Sequence, residues 1–152
     1  VITLDINSKI RATTQYTNWN FNSMVKFGDK FIGASDDGLF EICNDRDDGV
    51  PIGAYFEPIT TDFGISAPKR MRYMYFGFEA NGGMRIDVSV DQQAARTYDI
   101  PAHKTGQQRT RISIGRDGKG RYWSFRIKNI NGANFSFDSV EVLPVVRQQG
   151  TR

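Results

Sequence analysis

From residue 70 to residue 146 the apolar residues recur at every second position, and the spacing of an amphipathic helix does not take hold. Met84, Ile86, Val88 and Val90 alternate with Arg85, Asp87, Ser89 and Asp91. Period two belongs to a strand with one dry face and one wet face. The same alternation sets Thr110, Ile112 and Ile114 against Arg109, Arg111 and Ser113. It sets Trp123, Phe125 and Ile127 against Tyr122, Ser124, Arg126 and Lys128. Residues 73–78 are apolar or aromatic on both faces, which predicts a central strand. The "ANGGM" turn that follows predicts a hairpin between this strand and the one over residues 84–91. Residues 96–100 form a short strand that stops at Pro101. In the last strand the apolar parity moves from Phe135 and Phe137 to Val140 and Val142, which predicts a bulge at Asp138–Ser139. Strands about every ten residues, with turn residues between them, suggest a sandwich or barrel. The expected fold is all-β: an antiparallel, jelly-roll-like sandwich over residues 51–146, with a polar tail at 147–152.

The first fifty residues read differently. "FNSMVKFGDKFIGASDDGLFEIC" holds three short strands separated by "GDK" and "SDDG", the spacing of a β-meander. Residues 1–18 have few signals and read as an arm. "NDRDDGVP", residues 44–51, is the most linker-like stretch. An N-terminal piece of this length is too short to hold a core alone, so it must pack on the sandwich or on a neighbouring chain.

Composition narrows the function classes. A chain of 152 residues can bury a core without staples. One cysteine, Cys43, excludes an intrachain disulfide and a thiolate zinc cluster; one histidine, His103, excludes a His-rich metal site. No apolar run reaches the ~18 residues of a helical membrane span, and no signal peptide is present. A net charge of +3 is mild, so it lends only weak support to a polyanion partner. An initial valine in place of methionine is what a fragment or a processed product would show.

The chemical motifs fail one by one. "GRDGKGR", residues 115–121, lacks P-loop spacing, and a strand pattern follows it where a phosphate cradle needs a helix. "NDRDDG" places Arg46 and Tyr55 where a calcium loop needs oxygen ligands. "DFG" at residues 62–64 has none of the other kinase elements, and His103 has no serine or cysteine partner in a recognisable order. No catalytic, cofactor-binding or metal-binding residue is assigned, and an enzyme is the least expected class.

Two surface features remain. Arg109, Arg111, Arg126 and Lys128 could share one sheet face, with Arg116, Lys119 and Arg121 at its end. Like charges opposed on a sheet repel. So acidic residues such as Asp87 intervene, or the strands lie in different sheets, or an acidic partner meets the patch. Tyr16 and Trp19, in "QYTNWNF", could form a sugar platform or anchor the N-terminal residues to a core or a neighbouring subunit. Trp123, Phe125, Ile127, Phe135 and Phe137 are expected in the core.

The stretches "FNSMVKFGDKFIGASDDGLFEI", "DDGVPIGAYFEPITTDFG", "PKRMRYMYFGFEANGGMRIDV" and "KGRYWSFRIKNINGANFSFDSVEVLPVV" resemble a group of bacteriophage virion proteins. The likeness covers residues 16–146, and the closing motif, residues 120–146, is its most specific part. The resemblance implies a multi-copy, non-enzymatic component of a phage tail or tail tip. Such a protein is made in the bacterial cytoplasm, resides in the virion, and has copies of itself and other virion proteins as partners. It implies no cofactor and no catalytic residues. A carbohydrate-binding module is the first alternative, and a nucleic-acid-binding β domain is the second.

Overall fold

The computed structural model describes residues 2–7, 9, 12–17, 19–43, 46–47, 49–115 and 118–146. The expected tail at 147–152 lies outside them. The described residues form strands and turns, with no helix. The chain divides into two units, Val1–Asn44 and Asp45–Arg152.

The first unit opens on a hairpin. β1 (Ile2–Asn7) pairs antiparallel with β2 (Ala12–Thr17) where an arm was expected. β1 does alternate, Ile2, Leu4 and Ile6 against Thr3, Asp5 and Asn7, but β2 does not, so the first strand has no recognisable partner in the sequence. The expected meander follows as β3 (Ser23–Phe27), β4 (Lys30–Ser35) and β5 (Gly38–Glu41). Its turns are two residues long, between Phe27 and Lys30 and between Ser35 and Gly38. Gly28 enters the first at φ 60°, the left-handed conformation that tight hairpins require.

The second unit starts with the short strands β6 (Arg46–Asp47) and β7 (Val50–Pro51), which pair with each other, and β8 (Tyr55–Phe56). Then come β9 (Lys69–Ala80), β10 (Met84–Val90), β11 (Arg96–Ile100), β12 (Gln107–Ser113), β13 (Lys119–Gly120), β14 (Trp123–Asn129) and β15 (Phe135–Val146). One sheet runs β11-β10-β14-β8. In the other, β9 is central, flanked by β12 and β13 on one side and β15 on the other. Consecutive strands repeatedly change sheet, at β9 to β10, β11 to β12 and β14 to β15, as in a jelly-roll-like sandwich.

The expected hairpin at "ANGGM" is not a hairpin. β9 pairs with β12, β13 and β15, while β10 pairs with β11 and β14. The glycine turn instead carries the chain from one sheet to the other. It is pinned there by Asn81 N–H donating to Asn134 O at 3.2 Å and Asn134 N–H donating to Asn81 Oδ1 at 2.9 Å. A Cβ on Gly82 would stand 2.8 Å from Ala133 Cβ, so the crossing needs a glycine.

Between the sheets lies one hydrophobic core. β9 contributes Met71, Met74, Phe76 and Phe78; β10 contributes Met84, Ile86 and Val88; β14 contributes Trp123, Phe125 and Ile127. Phe135 and Phe137 pack against it, half-buried. Each fully buried large side chain contributes about 1.5–3 kcal/mol before entropy is counted. β9 and β15 both depart from strict alternation. The expected bulge appears as a register shift between Phe137 and Ser139. A second shift, between Val142 and Pro144, brings both Met71 and Met74 inward although they are three residues apart.

Lys69 is fully buried at the start of β9. Its ammonium donates to Ile65 O at 2.8 Å and Arg121 O at 2.9 Å, so backbone carbonyls replace water around the charge.

Candidate functional site

The basic residues singled out by the sequence do not form one patch. β12 and β14 lie in opposite sheets of the sandwich, so Arg109 and Arg111 share one outer face while Arg126 and Lys128 share the other. Of the three ways to relieve the repulsion, the structure uses the separation of strands and the intervening acid together. Arg116 lies outside the described residues.

On the outer face of the β12–β9–β15 sheet, each arginine rests on a tyrosine of the central strand. The Arg109 guanidinium lies 4.9 Å from the centre of the Tyr75 ring and 2.6 Å from Glu141 of β15. Arg111 lies 4.7 Å from the centre of Tyr73. These contacts follow from register, because Arg111 and Glu141 both stand opposite Tyr75, and Arg109 stands opposite Gly77.

The other outer face repeats the arrangement. Arg126 lies 5.1 Å from the Tyr55 ring and 2.8 Å from Glu57. Its pKa is raised by the hydrogen bond to Glu57 and then by that residue's charge. Asp87 sits directly opposite Arg126 in the β10–β14 ladder, accepts from Lys128 Nζ at 2.8 Å and accepts from Thr97 Oγ1 at 2.7 Å. Burial pushes the Asp87 carboxyl up. The hydrogen bonds from Lys128 and Thr97, with the charges of Lys128 and Arg126, outweigh burial and hold it below the ordinary aspartate value. Arg85 meets Asp99 at 2.7 Å on the same face. Three cations are thus matched by three carboxylates.

At the end of the sandwich, Arg121 stacks 4.8 Å from the Tyr122 ring and reaches Asp62 at 3.6 Å. Lys119 is exposed and pairs in the backbone ladder with Arg70. The loop before β14 is held from the other side. Asp91, at φ 49°, accepts the backbone N–H of Arg121 at 3.0 Å and of Tyr122 at 2.8 Å. Gly118 and Gly120 allow the close approach: a Cβ on Gly118 would stand 2.8 Å from Ile114 Cγ2, and one on Gly120 would collide with Val90 Cγ1 and Asp91. Its described part is thus a packed connector into β14. Asp91 carried no signal in the sequence beyond its place at the end of an alternating run.

Tyr16 and Trp19 belong to the first unit and stack on each other, with ring centres 4.4 Å apart and planes 12° off parallel. The series continues to Phe21 and then Phe40 of β5. Phe21 covers Gly33 of β4, where a Cβ would stand 2.7 Å from the ring.

Groups suited to bond-making chemistry are scattered. Among the described residues no cluster of three or more His, Cys, Asp or Glu could hold a metal ion. His103 stands in the loop before β12, where its backbone N–H donates to the Gln108 side chain at 2.9 Å. Cys43 is exposed, and its thiol is pushed up by burial and then by Glu41. A cleft of about 320 Å³ between the turns at Asn81, Thr105 and Asn134 is lined by a single ionisable side chain, Glu79. No helix of the described residues is long and apolar enough to cross a membrane.

No protein-family model, curated protein or solved structure matches this chain.

Proposed function

We propose that the chain is a non-enzymatic structural component of a phage virion, in the tail or tail tip, which acts through contacts between subunits. The observation that carries this reading is the make-up of the two outer sheet faces. Each presents tyrosine under arginine with the arginine's charge met by a glutamate: Arg109, Tyr75 and Glu141 on one, Arg126, Tyr55 and Glu57 on the other. Tyrosine and arginine are enriched at protein–protein interfaces, where rigid amphipathic groups make large contacts at little entropic cost. The resemblance of residues 16–146 to virion proteins agrees with this.

The two alternatives draw less support. A single-strand nucleic-acid binder needs a continuous basic groove with interleaved aromatics, whereas here the cations lie on opposite faces, and Arg109, Arg126 and Lys128 are matched by acids. A sugar platform needs free ring faces, and one face each of Tyr16 and Trp19 is taken up by their mutual stacking, with Phe21 also against Trp19. Quantitative mass spectrometry of purified particles tests the proposal. The chain is expected at a fixed, multi-copy stoichiometry. Its absence from the particles, with a purified chain that stays monomeric in light scattering, would overturn the reading.

A further inference from the structure

The meander of the first unit has two unlike faces. Residues directly opposed in a ladder share a face, and alternate residues of a strand share it too. Val25 opposes Ile32, Ala34 opposes Leu39 and Phe27 opposes Lys30, so Val25, Phe27, Ile32, Ala34 and Leu39 form one apolar face. Its opposite is covered in the middle, where Gly33 and Phe40 lie under the ring of Phe21, while Phe31 lies under Lys26 and Met24 is exposed toward the edge. The apolar face has no such cover: Val25 is 60% exposed, Phe27 73% and Leu39 77%. Among residues 9, 13–17 and 19–43 only Gly33 is buried. A three-stranded sheet needs one buried face to be stable.

Resting on the assembly reading above, we propose that this face docks, about a two-fold axis, on the same face of a second copy of the chain. Charge and area both favour this occupant. The charged groups on the face, Lys30 and Glu41, meet each other at 2.8 Å and leave it neutral. A neutral apolar face is complementary to itself, as a two-fold contact demands. Val25, Phe27 and Leu39, each more than half exposed, together with the outer parts of Ile32, Ala34 and the Lys30–Glu41 pair, offer on the order of 500 Å² per copy and about 1,000 Å² in total, the lower bound for a specific interface. Ile32, in the middle of the central strand, falls close to the axis and so near its own copy.

Sedimentation velocity of the full chain at ~50 µM reads the association by mass action. A dimer, or a larger assembly built from dimers, is expected, and Leu39→Glu is expected to weaken it at least about tenfold. The second measurement keeps the apolar face nearly intact. In a Cys43→Ser background, Ile32→Cys is expected to give a disulfide-linked dimer on oxidation, while Lys26→Cys on the opposite face is not. A monomer, or an assembly that Leu39→Glu leaves unchanged with no Ile32→Cys cross-link, overturns the proposal. So does a Leu39→Glu effect confined to binding of lipid vesicles. Stoichiometric presence in particles with such a result would leave the virion reading standing and remove this surface from it.

Discussion

Arg109 and Glu141 meet at 2.6 Å although the whole of β9 lies between their strands. Gly77 of β9 stands opposite both Arg109 and Ser139, so no side chain rises there into their path. The pair ties the two flanking strands of the sheet across its outer face. Both side chains are more than half exposed, so water screens the attraction and its net contribution stays below about 1 kcal/mol. Arg109→Ala and Glu141→Ala are each expected to lower the urea-unfolding free energy by less than about 1 kcal/mol. A loss above about 2 kcal/mol would mean that the pair is covered by a partner.

Glycine matters more where the backbone is crowded. A Cβ on Gly120 would enter Val90 Cγ1 and stand 2.5 Å from Asp91 Oδ2, and both neighbours are held in place by the core and by the loop. Gly120→Ala is expected to destabilise the sandwich by about 1–3 kcal/mol. Gly53 has open space around it and no positive φ. Gly53→Ala is therefore expected to be neutral or to stabilise by up to about 0.5 kcal/mol, through loss of unfolded-state entropy. Equal effects at the two positions in chemical denaturation would refute the crowding argument.

Features fixed by local alternation were legible in the sequence. Trp123, Phe125 and Ile127 face inward because side chains on a strand must alternate, and the shift after Phe137 shows as a change of parity. What required knowledge of partners was not legible. "ANGGM" has hairpin chemistry, yet whether β10 pairs with β9 or with β14 is decided some forty residues later. The same assignment decides that Arg109 and Arg126 stand on opposite faces. Lys69, in "PKRMR", reads as a wet residue; its burial depends on carbonyls of Ile65 and Arg121 that only the folded chain brings together. The acidic partners split in the same way. Asp87 could be named because it alternates with the core of its own strand, whereas Glu57 lies in a segment without periodicity.

Asp91 joins two strained or unpaired elements in one contact. It stands at φ 49° beside Gln92 at φ 61°, in a turn closed by Gln93 N–H donating to Val90 O at 3.0 Å. Its carboxylate takes the N–H groups of Arg121 and Tyr122. Asp91→Ala removes the acceptor and leaves a residue poorly suited to positive φ, at an expected cost of about 2–3 kcal/mol. Asparagine tolerates this conformation and keeps one oxygen acceptor, so Asp91→Asn is expected to fall between wild type and alanine. An alanine variant as stable as wild type in thermal unfolding would show that the loop does not need the clamp.

Asp87 sets the sign of the acid limb. Its side chain is 17% exposed, and its folded pKa lies below the ordinary value of 3.8 because the hydrogen bonds from Lys128 and Thr97 and the nearby cations outweigh burial. A group with a depressed folded pKa binds its proton more readily when unfolded, so its contribution is complete above the unfolded value. It is lost as pH falls through the folded one. Stability of the sandwich is therefore expected to decline below about pH 3.8. In Asp87→Asn that part of the decline disappears, and neutral-pH stability drops by about 1–2 kcal/mol because Lys128 loses its carboxylate. Urea titrations from about pH 2.5 to about pH 7 on the two proteins read both effects. Parallel stability curves for wild type and Asp87→Asn would show that the carboxylate titrates alike in the folded and unfolded chains.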